Sequence, residues 1–178
     1  MDVNQSKSWL IVIEKNIKLE DGSIVDFDID RFVIFLKTSC EFYAYNLHDK
    51  DITADGEAVR PHYHFVVKLK KRSRKSSLIN IISKFCDVSK DVIGVSYDFN
   101  ITLSIRYLVH YDNKDKYQYD FFNIVSSSSS FALSCLDLDM EQYEITASYL
   151  SYLIIDLNMP ISVLLTTLGI NTFQKYYK

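Results

Sequence analysis

The stretch Pro61-His62-Tyr63-His64-Phe65-Val66-Val67-Lys68-Leu69 decides how the rest of the chain can fold. In a β-strand, successive side chains point to opposite faces of the sheet. One face of such a strand carries His62, His64, Val66 and Lys68, and the other carries an unbroken apolar row of Tyr63, Phe65, Val67 and Leu69. The stretch therefore predicts a strand that buries one face in a core and presents two imidazoles side by side on the other.

A second histidine motif precedes this strand. His48 and Asp51 follow a strand-like, aromatic-rich run from Glu41 to Leu47. A turn after them leads back towards the next strand, as in a hairpin with a long loop. Pairing of the two strands would bring a third imidazole and a carboxylate close to His62 and His64.

These four residues form a candidate metal site. A His-x-His pair on a strand is, by itself, more often a pair of surface or hydrogen-bonded histidines than a metal site. The addition of His48 and Asp51 at a hairpin distance favours the metal interpretation. Three imidazoles and a carboxylate suit Mn²⁺, Zn²⁺, Co²⁺ or Ni²⁺, and nitrogen ligands favour Mg²⁺ less.

The order of the predicted elements indicates an α+β fold. Strands are predicted over residues 8–14, 41–47, 61–69, 92–97 and 116–122, and helices over 28–37, 77–85 and 100–110. Hairpin links between them favour an antiparallel α+β sandwich over a doubly wound parallel sheet. The chain contains no dinucleotide-binding or P-loop glycine pattern.

Charge is unevenly distributed along the 178 residues, whose formal net charge is −3. A basic segment without any acidic residue consists of Lys68, Lys70, Lys71, Arg72, Arg74 and Lys75. Such a run suits a DNA-binding edge, because neutralising phosphates releases counterions. On charge alone, it suits a solvated loop that leads into a helix equally well.

The composition predicts a cytoplasmic protein with one well-packed domain and a small appendage. The longest apolar runs, such as 9–13 and 149–155, are too short to span a membrane, and the polar first residues do not resemble a signal peptide. The three cysteines, Cys40, Cys86 and Cys135, form no Cys-x-x-Cys pair and are expected to be core residues.

The serine run from Ser126 to Ser130 stands where charge and composition change, and it predicts a linker over 126–135. We therefore expect a main domain over 1–125 and a small helical domain over 136–178, with helices over 140–157 and 161–177. About forty residues bury little core alone, so this piece is expected to dock on the first domain or on copies of itself, and self-association is the favoured role. A helix-turn-helix around Gly169 is the alternative, but only Lys175 and Lys178 are there to contact phosphate.

The predicted helix over 100–110 has a buried stripe that leaves Tyr107 exposed. Arg106, His110 and Tyr111 also lie away from that stripe. Tyr107 by itself indicates little, because the chain has 13 tyrosines.

The motifs together resemble the RepB-type initiators of rolling-circle plasmids, which belong to the HUH endonucleases. The resemblance covers about residues 8–122 and includes His48-x-x-Asp51, Pro61-His62-Tyr63-His64, Arg106-Tyr107-Leu108-Val109-His110 and Lys116-Tyr117-Gln118-Tyr119. It implies a five-stranded antiparallel sheet flanked by helices. It also implies that His48, Asp51, His62 and His64 are metal ligands and that Tyr107 is the nucleophile.

The resemblance further implies a function. A bacterial initiator of this type binds the double-stranded plasmid origin, nicks a hairpin-displayed single-stranded site with a divalent ion, and rejoins strands at termination. Mn²⁺ is the expected ion, with Mg²⁺ as the alternative. The nick leaves a 5′-phosphotyrosyl link and a 3′-OH primer for the host replication machinery. The family also suggests a homo-oligomer.

Several alternatives stay open. A mobilisation relaxase would use the same chemistry, but its tyrosine usually precedes the histidines, and here the order is reversed. Two alternatives belong to other functional classes. One is a DNA-binding repressor that has the fold but no longer cuts DNA, and the other is a zinc-dependent hydrolase that acts on a substrate other than DNA. Near Tyr107, His110 is either a base or a hydrogen-bonding residue, and Tyr111 is expected not to act as a second nucleophile.

Overall fold

The computed structural model describes residues 5–19 and 21–136 of the chain. The chain divides into two compact units, residues 1–132 and 133–178. The predicted helices over 140–157 and 161–177 lie outside the described residues, and the proposed small C-terminal domain over 136–178 lies almost wholly outside them. Its role in self-association stays a prediction.

The described residues form an α+β fold with a five-stranded antiparallel sheet, as predicted. The elements are β1 (Gln5–Glu14), β2 (Asn16–Lys18), β3 (Ile24–Asp26), α1 (Ile29–Ser39), β4 (Cys40–His48), β5 (His62–Arg74), α2 (Lys75–Cys86), β6 (Ile93–Tyr97), α3 (Ile101–Tyr107), β7 (Val125–Ser126) and α4 (Ser129–Cys135). The strand order is β6-β1-β5-β4-β7, and β2 pairs with β3 in a separate small sheet. No helix among residues 5–19 and 21–136 is long and apolar enough to cross a membrane.

Strand β5 lies in the centre of the sheet, between β1 and β4. One of its faces is buried: Phe65 and Val67 belong to the core that α1 and α2 cover. The opposite face carries His62 and His64, as the alternation predicts. The helices therefore leave the histidine face of the sheet free for other elements.

Helix α1 supplies much of the core. Asp28 caps its start by accepting a hydrogen bond from the backbone N–H of Arg31 at 2.9 Å. One side of the helix is apolar, and Phe32 is fully buried there, edge-on to Phe65 with ring centroids 4.7 Å apart. Edge-to-face packing of this kind adds to the gain from burying both rings.

Five of the six basic residues, from Lys68 to Arg74, lie in strand β5, and Lys75 begins α2, so the segment is not the loop that charge alone allowed. Strand β5 continues to Arg74 because the first residues of β1 pair with it, Gln5 opposite Arg74 and Ser6 opposite Ser73. A register shift between Ser6 and Ser8 interrupts this ladder. The result is a two-stranded ribbon with basic side chains at its end.

The strand predicted over 116–122 is wrong. Tyr119 turns its hydroxyl towards Asp51 and Lys50, and Asp120 caps a short 3₁₀ turn over Phe121–Asn123. These bonds keep the backbone of this segment away from the sheet edge, so the fifth strand is the shorter Val125–Ser126, which pairs with β4.

The serine run is also more structured than a linker. Ser126 lies in β7, the backbone N–H of Ser127 donates to the carbonyl of Tyr43 at 2.9 Å, and α4 begins at Ser129. The division of the chain into domains stays a prediction. Cys40, Cys86 and Cys135 are buried free thiols.

Replacement of Phe32 by alanine should strongly destabilise the fold. The side chain is 0% exposed, so its loss removes buried area and leaves a cavity, which costs about 3–5 kcal/mol. Urea unfolding would measure the change. Ile34→Ala on the same helix is the control, because Ile34 is 56% exposed and should change stability by less than about 1 kcal/mol. Equal losses for both variants would contradict the assigned core face.

Candidate active site

Three histidines meet where β4 and β5 pair. His48 lies opposite His62 in the ladder, and Asn46 lies opposite His64. Because side chains alternate along both strands, these residues share the face away from α1 and α2. The ring centroids of His48 and His64 are 4.5 Å apart, and those of His62 and His64 are 4.8 Å apart.

The imidazoles of His62 and His64 have the geometry of a metal-binding pair. The Nδ1 of His62 lies 2.8 Å from the carbonyl oxygen of Arg60, so this nitrogen carries the proton and Nε2 keeps its lone pair. That Nε2 lies 2.9 Å from the Nε2 of His64. Two ligands about 2.1 Å from one ion and at right angles lie about 3 Å apart, so a shared cation fits between them.

Asp51 completes the predicted set. Its Oδ2 lies 3.3 Å from Nδ1 of His48 and 3.9 Å from Nε2 of His62. Its Oδ1 accepts a hydrogen bond from the hydroxyl of Tyr119 at 3.0 Å. The structure therefore brings together the four residues that the sequence indicated, His48, Asp51, His62 and His64. Tyr119 holds the carboxylate in place, a role that sequence reasoning missed.

His48 also fixes the chain next to Tyr107. Its Nε2 donates to the carbonyl oxygen of Leu108 at 2.9 Å, and the side-chain amide of Asn46 donates to the same oxygen at 2.8 Å. Nδ1 of His48 is then left with a lone pair that faces the Asp51 carboxylate. A cation or a proton between the two atoms would relieve their repulsion.

His110 provides a fourth imidazole, although the sequence suggested it only as an accessory. Its Nδ1 donates to the carbonyl of Tyr117 at 2.8 Å. Its Nε2 is buried, has no hydrogen-bond partner among the described residues, and lies 3.8 Å from Oδ2 of Asp51. The residue has a left-handed backbone, with φ of 56°, which is uncommon outside glycine and often marks a functional site.

These side chains form two overlapping groups that could hold a metal ion. One consists of His48, His62 and His64, and the other of His48, Asp51 and His110. Within each group, the candidate ligand atoms lie within 4.8 Å of one another. The described residues therefore offer a cluster of nitrogen and oxygen donors around His48.

Burial favours the neutral form of three of the imidazoles, those of His48, His64 and His110. Loss of solvation lowers the pKa of His48 to about 4 and that of His64 to about 2, and the neighbouring His48 and His62 also depress the latter pKa. Burial lowers the pKa of His110 as well. Neutral imidazoles have the lone pairs that a metal ion requires, so the site is prepared for binding at neutral pH.

Tyr107 lies at the edge of this cluster, at the end of α3. Its ring centroid is 5.3 Å from that of His64 and 5.0 Å from that of His110. Its hydroxyl oxygen accepts a hydrogen bond from Nζ of Lys116 at 2.9 Å. The side chain is half-buried rather than exposed. Lys116 was missed because no local pattern indicates that it would reach Tyr107.

Tyr111 is held in a different environment. The Arg106 guanidinium lies 4.3 Å from the centre of its ring, and the Lys114 ammonium lies 5.0 Å from it. Arg106 also forms an ion pair with Asp112. Of the two tyrosines, Tyr107 is the one that the structure places against the histidines.

The six basic residues suggested for DNA binding, Lys68, Lys70, Lys71, Arg72, Arg74 and Lys75, are all exposed. Several of them have partners within the chain, among them Arg72, whose guanidinium donates to the carbonyl of Gln5 at 3.4 Å. Lys68 lies 3.2 Å from Glu41, and Lys70 donates to the carbonyl of Thr38 at 2.7 Å.

A five-stranded antiparallel sheet with α1 and α2 on one face and clustered histidines on the other is consistent with an HUH-type fold. Residues 27–134 match the family described as plasmid replication protein, origin binding domain. This match covers more than half of the chain, so the protein belongs to that family, and the resemblance to RepB-type plasmid replication initiators is confirmed.

A curated relative agrees with this assignment. The chain is 35% identical over 92 residues to the replication protein RepB of Lactiplantibacillus plantarum. The matched stretch covers 52% of this chain and 40% of that relative, so the chain corresponds to less than half of the length of RepB.

The metal-free protein should lose stability as the pH falls below about 6.5. The folded state keeps His48 and His64 neutral, so the unfolded chain binds more protons once the pH drops below the ordinary histidine pKa. Each such histidine should contribute a loss of about 2 kcal/mol between pH 7 and pH 5. Urea unfolding in the presence of a chelator, at pH 7 and at pH 5, measures this loss in the free energy of unfolding. His64→Gln should show a smaller loss, and equal wild-type stability at the two pH values would contradict the assignment.

Proposed function

We propose that the protein binds plasmid origin DNA and nicks one strand with Tyr107 as the nucleophile. The observation that carries this proposal is the position of the Tyr107 ring against His64 and His110, at the edge of the histidine cluster. Membership in the origin-binding family supports the choice of DNA as the substrate. The proposed place of action is the cytoplasm of a bacterial host.

The donor set fits a divalent cation. His62 and His64 present Nε2 atoms 2.9 Å apart, and His48 presents a lone pair to Asp51. These four residues are the proposed ligands, and the buried Nε2 of His110 is within reach of the same cluster. The nitrogen-rich set favours Mn²⁺ over Mg²⁺. When bound, such an ion would polarise the scissile phosphate and stabilise the charge that develops on its oxygens.

The reaction is an in-line exchange of phosphodiester bonds. The hydroxyl oxygen of Tyr107 attacks phosphorus, the bond to the 3′ oxygen breaks, and the products are a 5′-phosphotyrosyl link and a free 3′-OH. A phenol has an ordinary pKa near 10 and is protonated at neutral pH, so the exchange moves one proton from the phenol to the departing 3′ oxygen. Nζ of Lys116 donates a hydrogen bond to the same oxygen at 2.9 Å and holds the Tyr107 side chain at the edge of the histidine cluster. The 3′-OH then primes a host polymerase, and reversal of the exchange rejoins the strand.

Contact with double-stranded DNA is proposed for the basic segment of β5 and α2. A two-stranded ribbon such as the paired ends of β1 and β5 fits the major groove of B-DNA. The exposed Lys71, Arg72 and Arg74 project from it. This segment would hold the origin while a locally unpaired strand reaches the histidine face.

Replacement of Tyr107 by phenylalanine should abolish a covalent protein–DNA adduct and leave DNA binding intact. The variant lacks only the attacking oxygen. The measurement is a denaturing gel after incubation with Mn²⁺ and a labelled single-stranded oligonucleotide library, with a chelator-treated lane.

Tyr111→Phe is the matched control for this experiment and should still form the adduct. An adduct that persists in Tyr107→Phe and vanishes in Tyr111→Phe would identify Tyr111 as the nucleophile. Binding without any adduct would favour a repressor that has the fold but does not cut DNA.

Asp51→Asn should weaken Mn²⁺ binding by at least tenfold, because the amide removes the negative charge that faces His48 and His62. Isothermal titration calorimetry would measure the affinity. Asp49→Asn is the control, since Asp49 is exposed and two residues away. Equal affinity in both variants would argue against Asp51 as a ligand.

Replacement of Lys71, Arg72 and Arg74 by alanine in one triple variant should weaken binding to double-stranded DNA and reduce the salt dependence of that binding. Each lost phosphate contact reduces the magnitude of the negative slope of log K against log salt by about 0.9. Titrations at several salt concentrations would measure the slope. Lys84 and Lys90, which lie outside the basic segment, provide the control substitutions. An unchanged slope in the triple variant would exclude the segment as the DNA contact.

A further inference from the structure

A concavity lies on the histidine face of the sheet, at the end of β4 and β5 away from the histidines. It has a volume of about 480 Å³, and its walls include Phe42, Lys68, Asp98, Phe99 and Phe131. Phe42 lies opposite Lys68 in the ladder, and Lys68 is four residues beyond His64 on the same face of β5. At about 3.3 Å per residue, this places the cavity roughly 13 Å from the histidines along the strand.

Asp98 gives this cavity an unused hydrogen-bond acceptor. The residue is only 8% exposed. Its Oδ1 accepts from the hydroxyl of Ser104 at 2.8 Å and from the backbone N–H of Asn100 at 3.0 Å. Its Oδ2 is buried and has no hydrogen-bond partner within the described part of the chain. A buried carboxylate oxygen without a donor is costly, so a ligand that supplies an N–H group would be favoured here.

Phe99 gives the same cavity an open aromatic surface. Its side chain is 93% exposed, which is unusual for phenylalanine. Phe131, on another wall, is fixed edge-on against Phe42 with ring centroids 4.9 Å apart. Aromatic rings beside a buried acceptor suit a planar heterocycle with polar groups at its edge. Such a ligand can stack on an aromatic ring and donate a hydrogen bond to the acceptor.

We propose that this cavity binds one nucleobase of the strand that is cut, stacked on Phe99 and with an amino group donating to Oδ2 of Asp98. The inference rests on the proposed nicking function, because the cavity continues the face on which Tyr107 lies. Lys68 at the rim, now paired with Glu41, is positioned to meet the backbone phosphates. A base a few nucleotides from the scissile phosphate would reach the cavity along the sheet.

The chemistry of Asp98 makes the site selective. Carboxylates accept well from the N4 amino group of cytosine. Uracil has the same ring but carries a carbonyl at that position, so it offers Oδ2 an acceptor instead of a donor. The cavity should therefore prefer cytosine to uracil, while the stacking on Phe99 contributes to the binding of both bases.

The test measures binding without cleavage. Fluorescence anisotropy in chelator, near pH 7.5, compares short oligodeoxycytidine with oligodeoxyuridine of equal length. The wild type should bind the cytidine oligomer about tenfold more tightly. Asp98→Asn keeps an oxygen for Ser104 and Asn100 but presents an NH₂ group towards the ligand, so the preference should disappear or turn towards uridine.

Phe99→Ala should weaken the binding of both oligomers by about tenfold, since it removes the stacking surface. Leu103→Ala is the matched control, because Leu103 is an exposed apolar residue of α3 outside the cavity walls. Circular dichroism melting would confirm that the Asp98 and Phe99 variants are folded.

Three results would overturn the proposal: no binding of either oligomer by the wild type, an unchanged cytidine preference in Asp98→Asn, or unchanged binding of both oligomers by Phe99→Ala. If Phe99→Ala changes only the sedimentation velocity of the protein, Phe99 belongs to a protein interface instead. Because the assay contains no metal, it measures binding alone and does not depend on attack by Tyr107 on the DNA. Failure of the nicking proposal would instead appear as a missing adduct with base selectivity intact.

Discussion

The antiparallel pairing of β4 with β5, in the register that sets His48 opposite His62, is the constraint on which the site depends. A slip of one residue would turn every side chain of a strand to the other face, and the histidines would enter the core. The apolar row of Phe65 and Val67 opposes that slip, because a shift of one residue would take these buried side chains out of the core under α1 and α2. The hydrophobic effect on one face thus fixes the position of polar ligands on the other.

The polar cluster costs stability that this core must offset. Burial depresses the pKa of His48, and its ring is held in one tautomer by the Leu108 carbonyl. The same bond ties the histidine cluster to the turn after α3, which positions Tyr107 beside it. The candidate ligands and the candidate nucleophile are therefore parts of one hydrogen-bonded arrangement, rather than two sites that happen to be close.

The sequence predicted those parts of the fold that follow from local periodicity. Alternation in 61–69 indicated which residues of β5 face the core, and spacing brought His48 and Asp51 into the hairpin. Lys116 and Tyr119 could not be placed in this way, because they lie in a segment without periodicity and reach their partners through side-chain bonds across the fold. The left-handed backbone of His110 has no sequence signal either, since positive φ is normally a property of glycine.

The most direct measurement of the proposed chemistry is mass spectrometry of the DNA-linked peptide. Trypsin cleaves after Arg106 and Lys114, so the fragment 107–114 contains both Tyr107 and Tyr111. After nuclease trimming, the mass of the residual nucleotide can be located within that fragment by its backbone ions. The proposed function predicts that the added mass lies on Tyr107. Added mass on Tyr111 or on a residue outside this fragment would contradict it.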